Sequence, residues 1–127
     1  MPQQELRQTV SQKVFPLVEI ANRDLAIAWM LRGWDGSFAL NVDGEYVFIV
    51  ASGGQAKVLS KPPQTVGVRF TLTERTLDLL IAGRLSPLIA KLSGRLGSTG
   101  PTAEILRFAA VFTACLQRAR HGSGNGL

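Results

Sequence analysis

The sequence predicts an α+β fold in which helices cover one face of a five-stranded, mostly antiparallel sheet. Three observations predict it. Apolar residues recur at helical spacing near both ends of the chain, and short apolar runs bounded by turn residues fill the part between. Asp43-Gly44 is a strong hairpin signal between two of these runs. Strands joined by hairpins pair antiparallel, and helices segregated along the chain then pack on one side.

The first helix is predicted over residues 4–23, where apolar side chains recur every three or four residues. These side chains belong to Leu6, Val10, Val14, Leu17 and Ala21. Pro16 interrupts the pattern, so it either kinks the helix or begins a second helical turn. We expect residues 1–24 to form an N-terminal helical segment.

Four strands follow, over residues 25–32, 37–42, 45–51 and 66–72. The first run is apolar on both faces, which is typical of a buried strand. The last run alternates apolar and polar residues, which is typical of a half-buried strand. Residues 52–64 contain two glycines, two prolines and two lysines, so we expect them to form an exposed connection.

Two short helices are predicted over residues 74–82 and 87–93. Gly83 and Gly94 follow their ends, where a left-handed residue belongs, and Ser86-Pro87 is a typical helix start.

A glycine-rich edge strand is predicted over residues 95–100, and Pro101 begins a helix that extends to about Ala119. Residues 120–127 are rich in glycine, so we expect a flexible tail. The 127 residues are the size of one domain.

Composition argues against several classes of protein. No apolar run approaches the roughly 20 residues of a membrane span, and the N-terminus lacks a signal-peptide core. Cys115 is alone, so we expect no disulfide and no cysteine-based metal site, and we interpret the chain as cytoplasmic. Only His121, in the tail, offers an imidazole base, and no nucleic-acid motif is present. We therefore expect no catalysis, metal, cofactor or nucleic-acid partner.

Charge is biased toward basic residues, with 14 Lys and Arg against 9 Asp and Glu. Between Asp78 and Glu104 the charged residues are all basic, namely Arg84, Lys91 and Arg95. This bias favours anionic partners such as phospholipid head groups. A solvated basic face explains the same residues.

The last helix carries an apolar stripe wider than a surface helix buries. The stripe contains Ile105, Phe108, Ala109, Phe112, Cys115, Leu116 and Ala119. Either this helix is buried on two sides, in a core or a dimer, or one of its sides lines an apolar cavity. Each of the two short helices also has an apolar face. These faces are explained equally well by ordinary packing in the core and by a role as the opposite wall of such a cavity.

The order of these motifs resembles the sterol carrier protein type 2 (SCP2-like) domain family. The similarity covers about residues 25–117. It includes the hairpin at Asp43-Gly44, the pattern T-L-T-E-x-x-x-D-L-L-x-A-G-R-L-S-P at 71–87 and the pattern S-G-R-L-x-x-x-G at 93–100. The chain departs from the family at Gly97-Ser98-Thr99, where few residues favour a strand, so we expect a short edge strand there.

The resemblance implies a five-stranded sheet and helices that enclose an apolar tunnel. It implies non-catalytic binding of a fatty acyl chain, sterol, phospholipid or isoprenoid quinone. Residues carried over to the tunnel wall are Leu77, Leu80, Ile81, Leu88, Ile89, Leu92, Ile105, Phe108, Phe112 and Leu116. Basic residues that then suit a head group or anionic membrane surface at its mouth are Arg84, Lys91, Arg95 and Arg107.

Two other interpretations stay open. The chain is either an accessory module that needs protein partners in lipid or quinone metabolism, or a homodimerisation domain whose apolar face meets its own copy.

Overall fold

The computed structural model of the protein describes residues 8–125, and side chains of residues 8–120. The elements, in chain order, are α1 (Val10–Arg23), α2 (Leu25–Leu31), β1 (Gly36–Val42), β2 (Glu45–Ser52), β3 (Gln55–Leu59), β4 (Val68–Leu72), α3 (Glu74–Ile81), α4 (Pro87–Leu92), β5 (Gly97–Thr99) and α5 (Thr102–Asn125). The predicted α+β class with five strands is confirmed.

α1 begins with a capping box, in which two side chains satisfy backbone N–H groups of the first turn. The Gln12 N–H donates to Thr9 Oγ1 over 3.1 Å, and the Thr9 N–H donates to Gln12 Oε1 over 2.8 Å. The predicted start at residue 4 is wrong for residues 8 and 9, which precede the helix, and residues 4–7 lie outside the described part. Pro16 lies inside α1, which continues as one helix to Arg23.

The segment predicted as the first, buried strand is α2, so that prediction is wrong. Asp24 caps the helix, because its Oδ1 accepts two backbone N–H groups of the first turn. The buried residues of α2 are Ile27 and Leu31, four positions apart on one helical face, whereas Leu25 and Trp29 are exposed. An apolar run of this length does not by periodicity separate a strand from a helix.

The sheet keeps five strands because the predicted connection over 52–64 contains β3. Gly53 and Gly54 both have positive φ, at 61° and 78°, and form the hairpin turn from β2 to β3. The strand order is β3-β2-β1-β4-β5, in which β1 and β4 are parallel and the other pairs antiparallel. The mostly antiparallel sheet is thus confirmed with a different set of strands.

One face of the sheet forms the core. Its buried side chains alternate along the three central strands: Phe38, Leu40, Val42, Val47, Ile49, Ala51, Val68, Phe70 and Leu72. The buried sides of α1, α2, α3, α4 and α5 belong to the same apolar cluster. The helices therefore share one face of the sheet, as predicted.

The ends of the short helices agree with the sequence prediction. Gly83 and Gly94 have φ values of 77° and 79°, the left-handed conformation that closes a helix. The Ser86 side chain accepts the Ile89 N–H over 3.1 Å, and Pro87 is the first residue of α4.

The last two elements differ in how closely they follow the prediction. β5 has three residues, as expected for a thin edge strand. The predicted end of the last helix at Ala119 is wrong, because α5 continues to Asn125. Single glycines weaken a helix by about 1 kcal/mol each without forbidding it. The predicted flexible tail thus contains helical backbone over 120–125, and residues 126 and 127 lie outside the described part.

The exposed edge of β3 is closed by a side chain from α1. Asn22 Nδ2 donates to the Ala56 carbonyl oxygen, and the Ala56 N–H donates to Asn22 Oδ1, each over 2.8 Å. The amide of Asn22 therefore takes the place of one residue of a neighbouring strand, which protects an edge from pairing with another chain.

We expect Asn22→Ala to lower the free energy of unfolding by about 1–2 kcal/mol, because two hydrogen bonds are lost at once. Urea denaturation measures the change. The control is Glu19→Ala on the exposed side of the same helix, with an expected change within about 0.5 kcal/mol. Equal stability of the two variants would contradict a bracing role for Asn22.

Candidate apolar binding site

Two small apolar cavities lie between the sheet and the helices. The rear cavity, of about 50 Å³, is lined by Val14, Leu17, Val18, Ala21, Leu31, Trp34, Phe38, Leu40, Ile49, Ala51, Ala56, Phe108, Val111, Phe112 and Cys115. The front cavity, of about 30 Å³, is lined by Leu40, Phe70, Leu72, Leu77, Leu80, Pro87, Leu96, Phe108, Ala109 and Phe112. Both volumes are well below the roughly 150 Å³ of a cavity that holds benzene.

Three side chains line both cavities and separate them: Leu40, Phe108 and Phe112. Phe108 and Phe112 are four positions apart on α5, with ring centroids 6.0 Å from each other. The Phe108 ring also lies 4.6 Å from Phe70 and 4.8 Å from Phe38, centroid to centroid. The residues shared by the two cavities contribute side chains to the partition, so joining the cavities requires these side chains to move.

A surface groove of about 690 Å³ runs between α4, β5 and α5. Four of the residues that line it also line the front cavity: Phe70, Pro87, Leu96 and Ala109. The surface groove, the front cavity and the rear cavity therefore lie in series. The structure has two small cavities and a surface groove in place of the continuous tunnel that the resemblance implies.

Six of the ten predicted wall residues line these spaces. Leu77 and Leu80 line the front cavity, and Phe108 and Phe112 line both cavities. Leu88 and Ile105 line the surface groove.

The other four predicted wall residues line none of the three spaces. Leu116 is buried in the core, and Ile81 is partly buried against the core. Ile89 and Leu92 are exposed, because α4 turns Pro87 and Ala90 inward instead. A binding role for these four residues remains a prediction.

The resemblance implied that the sheet forms part of the wall, but sequence reasoning named none of its residues, and it missed the N-terminal helices altogether. Leu40, Phe70 and Leu72 line the front cavity, and α1 contributes Val14 and three other residues to the rear cavity. The strand residues carry a signal in the sequence, since each belongs to an alternating inward-facing set.

The four predicted head-group residues do not form one group. Lys91 lines the surface groove, where its Nζ donates to Ser98 Oγ. Arg84 and Arg95 are exposed beside the two ends of α4.

Arg107 lies elsewhere and has structural partners. Its guanidinium lies 4.8 Å from the centroid of the Trp34 ring, and Nη2 donates to the carbonyl oxygens of Met30 and Arg32 over 3.3 and 3.2 Å. Arg107 thus holds the end of α2 and does not line the groove, which argues against the predicted contact with a head group.

The site offers little for chemistry. Over the residues that the structure describes, no three His, Cys, Asp or Glu side chains come together as metal ligands, and no helix is long and apolar enough to cross a membrane. Burial, helped by the negative charge of Asp24, raises the pKa of the Cys115 thiol to about 12. The thiol is therefore protonated at neutral pH and a poor nucleophile. The side chain of His121 lies outside the described part.

Comparison with protein families gives a match to the SCP-2 sterol transfer family over residues 17–113. The chain belongs to this family. Membership supports lipid binding or transfer as its general function, and the match begins and ends a few residues before the span expected from the sequence. A comparison with curated proteins gives no match.

Solved structures of low sequence identity share the fold. The sterol carrier protein domain 2 of Helicoverpa armigera is 21% identical with a TM-score of 0.66, over 87% of this chain and 94% of that one. The UbiJ-SCP2 Ubiquinone synthesis protein is 19% identical with a TM-score of 0.62, over 78% and 88%. Palmitated SCP2L2 from Aedes aegypti is 18% identical with a TM-score of 0.59, over 83% and 95%.

We expect Phe108→Ala to join the two cavities, because its ring lines both. Phe108 is partly buried, so the free energy of unfolding should fall by about 2–3 kcal/mol, at or below the low end for fully buried Phe→Ala changes, and the enlarged space should bind benzene. Urea denaturation with and without benzene measures both effects. The control is Phe15→Ala, at a half-exposed position that lines neither cavity, and benzene should not stabilise this variant. If benzene fails to stabilise Phe108→Ala, the cavities do not join.

We expect Cys115 to react with iodoacetamide at pH 8 more than about a hundredfold more slowly in the folded protein than in urea, because the buried thiol stays protonated. Mass spectrometry of the alkylated chain measures the rates, with Cys115→Ala as the unlabelled control. Similar rates in both states would show that the thiol is accessible and ionised.

Proposed function

We propose that the chain binds one hydrophobic, chain-like lipid non-covalently and carries it without catalysis. The observation on which this proposal depends is the serial arrangement of groove and cavities, separated by side chains. Every residue that lines the two cavities is apolar, so hydrocarbon is the chemistry that fits them. The general function of the family supports the proposal.

The narrowness of the cavities favours a flexible chain over a fused-ring ligand. With volumes of about 50 and 30 Å³, the cavities can be joined into a narrow space by movement of the Phe108 and Phe112 side chains, whereas a rigid fused-ring ligand needs a larger rearrangement. Each methylene removed from water contributes about 0.8 kcal/mol, so a long chain needs no polar anchor to bind tightly. We therefore infer a fatty acyl or isoprenoid chain, of a free acid, phospholipid or quinone.

The names of two similar structures agree with this ligand class. One is described as palmitated, which is an acyl chain of the expected shape. The other is described as a ubiquinone synthesis protein, and ubiquinone carries an isoprenoid chain. At identities near 20% these names support the proposal without assigning the ligand of this chain.

Catalysis is not part of the proposal. In the described part of the chain Cys115 is the only cysteine that lines the two cavities, and its thiol is protonated. No carboxylate or imidazole among the described residues lines either cavity. Acid–base and nucleophilic chemistry need such groups within hydrogen-bond reach of the substrate. A cytoplasmic location remains a prediction.

A second candidate function is an accessory module in lipid or quinone metabolism, which the likeness to the ubiquinone synthesis protein favours. It differs from a stand-alone carrier in requiring a protein partner, and co-purification from cell lysate distinguishes the two. Homodimerisation without a ligand is the remaining alternative, and light scattering with and without palmitate tests it.

We expect Ala109→Phe to weaken palmitate binding at least tenfold, because residue 109 lines both the groove and the front cavity and a ring there fills the junction. Titration with fluorescent palmitate and native mass spectrometry measure binding. The control is Ala103→Phe, at an exposed position of the same helix that lines neither space, with wild-type affinity expected. Equal binding by both variants would place the ligand elsewhere, and no palmitate binding by the wild type would refute the proposed function.

A further inference from the structure

α4 exposes more large aliphatic side chains than a six-residue helix facing solvent normally does. Pro87 and Ala90 are buried against the core. On the opposite side of the helix Leu88, Ile89 and Leu92 are 67%, 51% and 74% exposed. Contiguous exposed apolar surface of this kind marks a site of interaction with a protein or a membrane.

The exposed aliphatic surface continues across the surface groove. Leu106 of α5 is 63% exposed, and it lines the groove together with Leu88 of α4. We call Leu88, Ile89, Leu92 and Leu106 the α4 surface. It borders the groove that leads to the front cavity, so its partner would lie where a ligand enters.

The charged residues of α4 and of the segments directly before and after it are basic. Arg84 precedes α4, Lys91 lies within it and Arg95 follows it, and the sequence has no Asp or Glu between Asp78 and Glu104. The two flanking acids already have partners.

These partners lie on other elements. The Asp78 carboxylate is 2.8 Å from Lys13 Nζ on α1, and the Glu104 carboxylate accepts the Trp34 indole N–H over 3.1 Å. Arg84 shares a surface depression with Glu74 and Asp78, and Arg95 shares another with Asp43. The described residues that line the groove include Lys91 and no Asp or Glu, so the charge that faces the groove is positive.

We propose that the α4 surface docks on an anionic lipid bilayer and so holds the mouth of the groove against the membrane; the inference rests on the proposed lipid carriage. Aliphatic side chains insert below the head groups, and nearby Lys and Arg meet their phosphates and carboxylates. A bilayer fits the aliphatic residues, the charge and the groove together, because it is also the source of the ligand.

A second pair of exposed apolar residues lies away from the groove. Leu25 and Trp29 of α2 are exposed, but neither residue lines the groove or a cavity. This pair therefore provides a matched control for apolar exposure that does not lead to the ligand space.

The test is co-flotation with vesicles of phosphatidylcholine, either pure or with 30 mol% phosphatidylserine. The double variant Ile89→Gln/Leu92→Gln changes exposed residues that line no cavity, and its partition onto anionic vesicles should weaken about tenfold. Leu25→Gln, which removes one apolar side chain that is 88% exposed on α2, should stay within about twofold of the wild type.

Charge is tested by reversal. Arg84→Glu/Arg95→Glu should weaken partition by at least about fivefold for each side chain, since a basic residue at an anionic surface contributes about 1 kcal/mol. The same change at Arg69, exposed on the opposite face of the sheet, is the control and should have little effect. Pure phosphatidylcholine vesicles should bind the wild type weakly.

Palmitate delivered from cyclodextrin separates this inference from the proposed function. Loss of vesicle binding in the α4 variants with normal palmitate binding supports the docking surface. Three results would each overturn the docking proposal. The α4 variants could bind vesicles as well as the wild type does, or Leu25→Gln could lose as much vesicle binding as they do. The third result is a wild type that binds no vesicles and forms a dimer that Ile89→Gln/Leu92→Gln abolishes. Failure of wild-type palmitate binding would instead refute the proposed function, whatever the vesicles show.

Discussion

The contact of the α5 aromatic side chains with the sheet determines both how the molecule closes and what shape its interior takes. Phe108 packs between Phe38 and Phe70, with centroid distances of 4.8 and 4.6 Å, and Phe112 follows one helical turn later. Protein interiors are normally filled to crystal-like density, because an empty space loses the dispersion contacts of its lining. Here two rings fill the middle of a long apolar space and leave small voids on each side.

This packing offers a physical account of how a lipid carrier can be stable without its ligand. A tunnel open along its whole length would cost the protein contacts in the unloaded state. In the proposed mode of binding, the rings of Phe108 and Phe112 supply those contacts in the unloaded protein, and an acyl chain that displaced them would replace apolar surface with apolar surface. Binding would then exchange one packing for another, with the rotation of side chains as the main change in structure.

Polar contacts hold most of the helices in place around this interior. Trp34 lies between Glu104 and Arg107 of α5, which fixes the end of α2. Lys13 of α1 bridges Glu74 and Asp78 of α3 over 2.7 and 2.8 Å. α4 depends instead on its caps and on the burial of two small residues. A helix of six residues has little stability of its own, so α4 is the element best suited to yield beside the groove.

The sequence by itself determined features that depend on a few neighbouring residues. The left-handed glycines after α3 and α4, the Ser86-Pro87 start and the Asp43-Gly44 hairpin follow from local backbone preferences. The wide apolar stripe of α5 likewise identified the side that packs against the core, although only Cys115 and Leu116 of its residues are fully buried. The Gly53-Gly54 turn carried a similar signal for β3, but the polar residues around it favoured a connection.

Tertiary structure alone decided the features that depend on distant partners. The apolar run of α2 suits a strand or a helix, and burial of only Ile27 and Leu31 settled the matter. The rotation of α4 about its own axis, which turned Ile89 and Leu92 outward, is set by the elements packed against it. The guanidinium of Arg107 contacts the ring of Trp34, a residue far away in the sequence. Periodicity tells which side chains are apolar, but the volume between packed elements decides which of them face a ligand, a core or the surface.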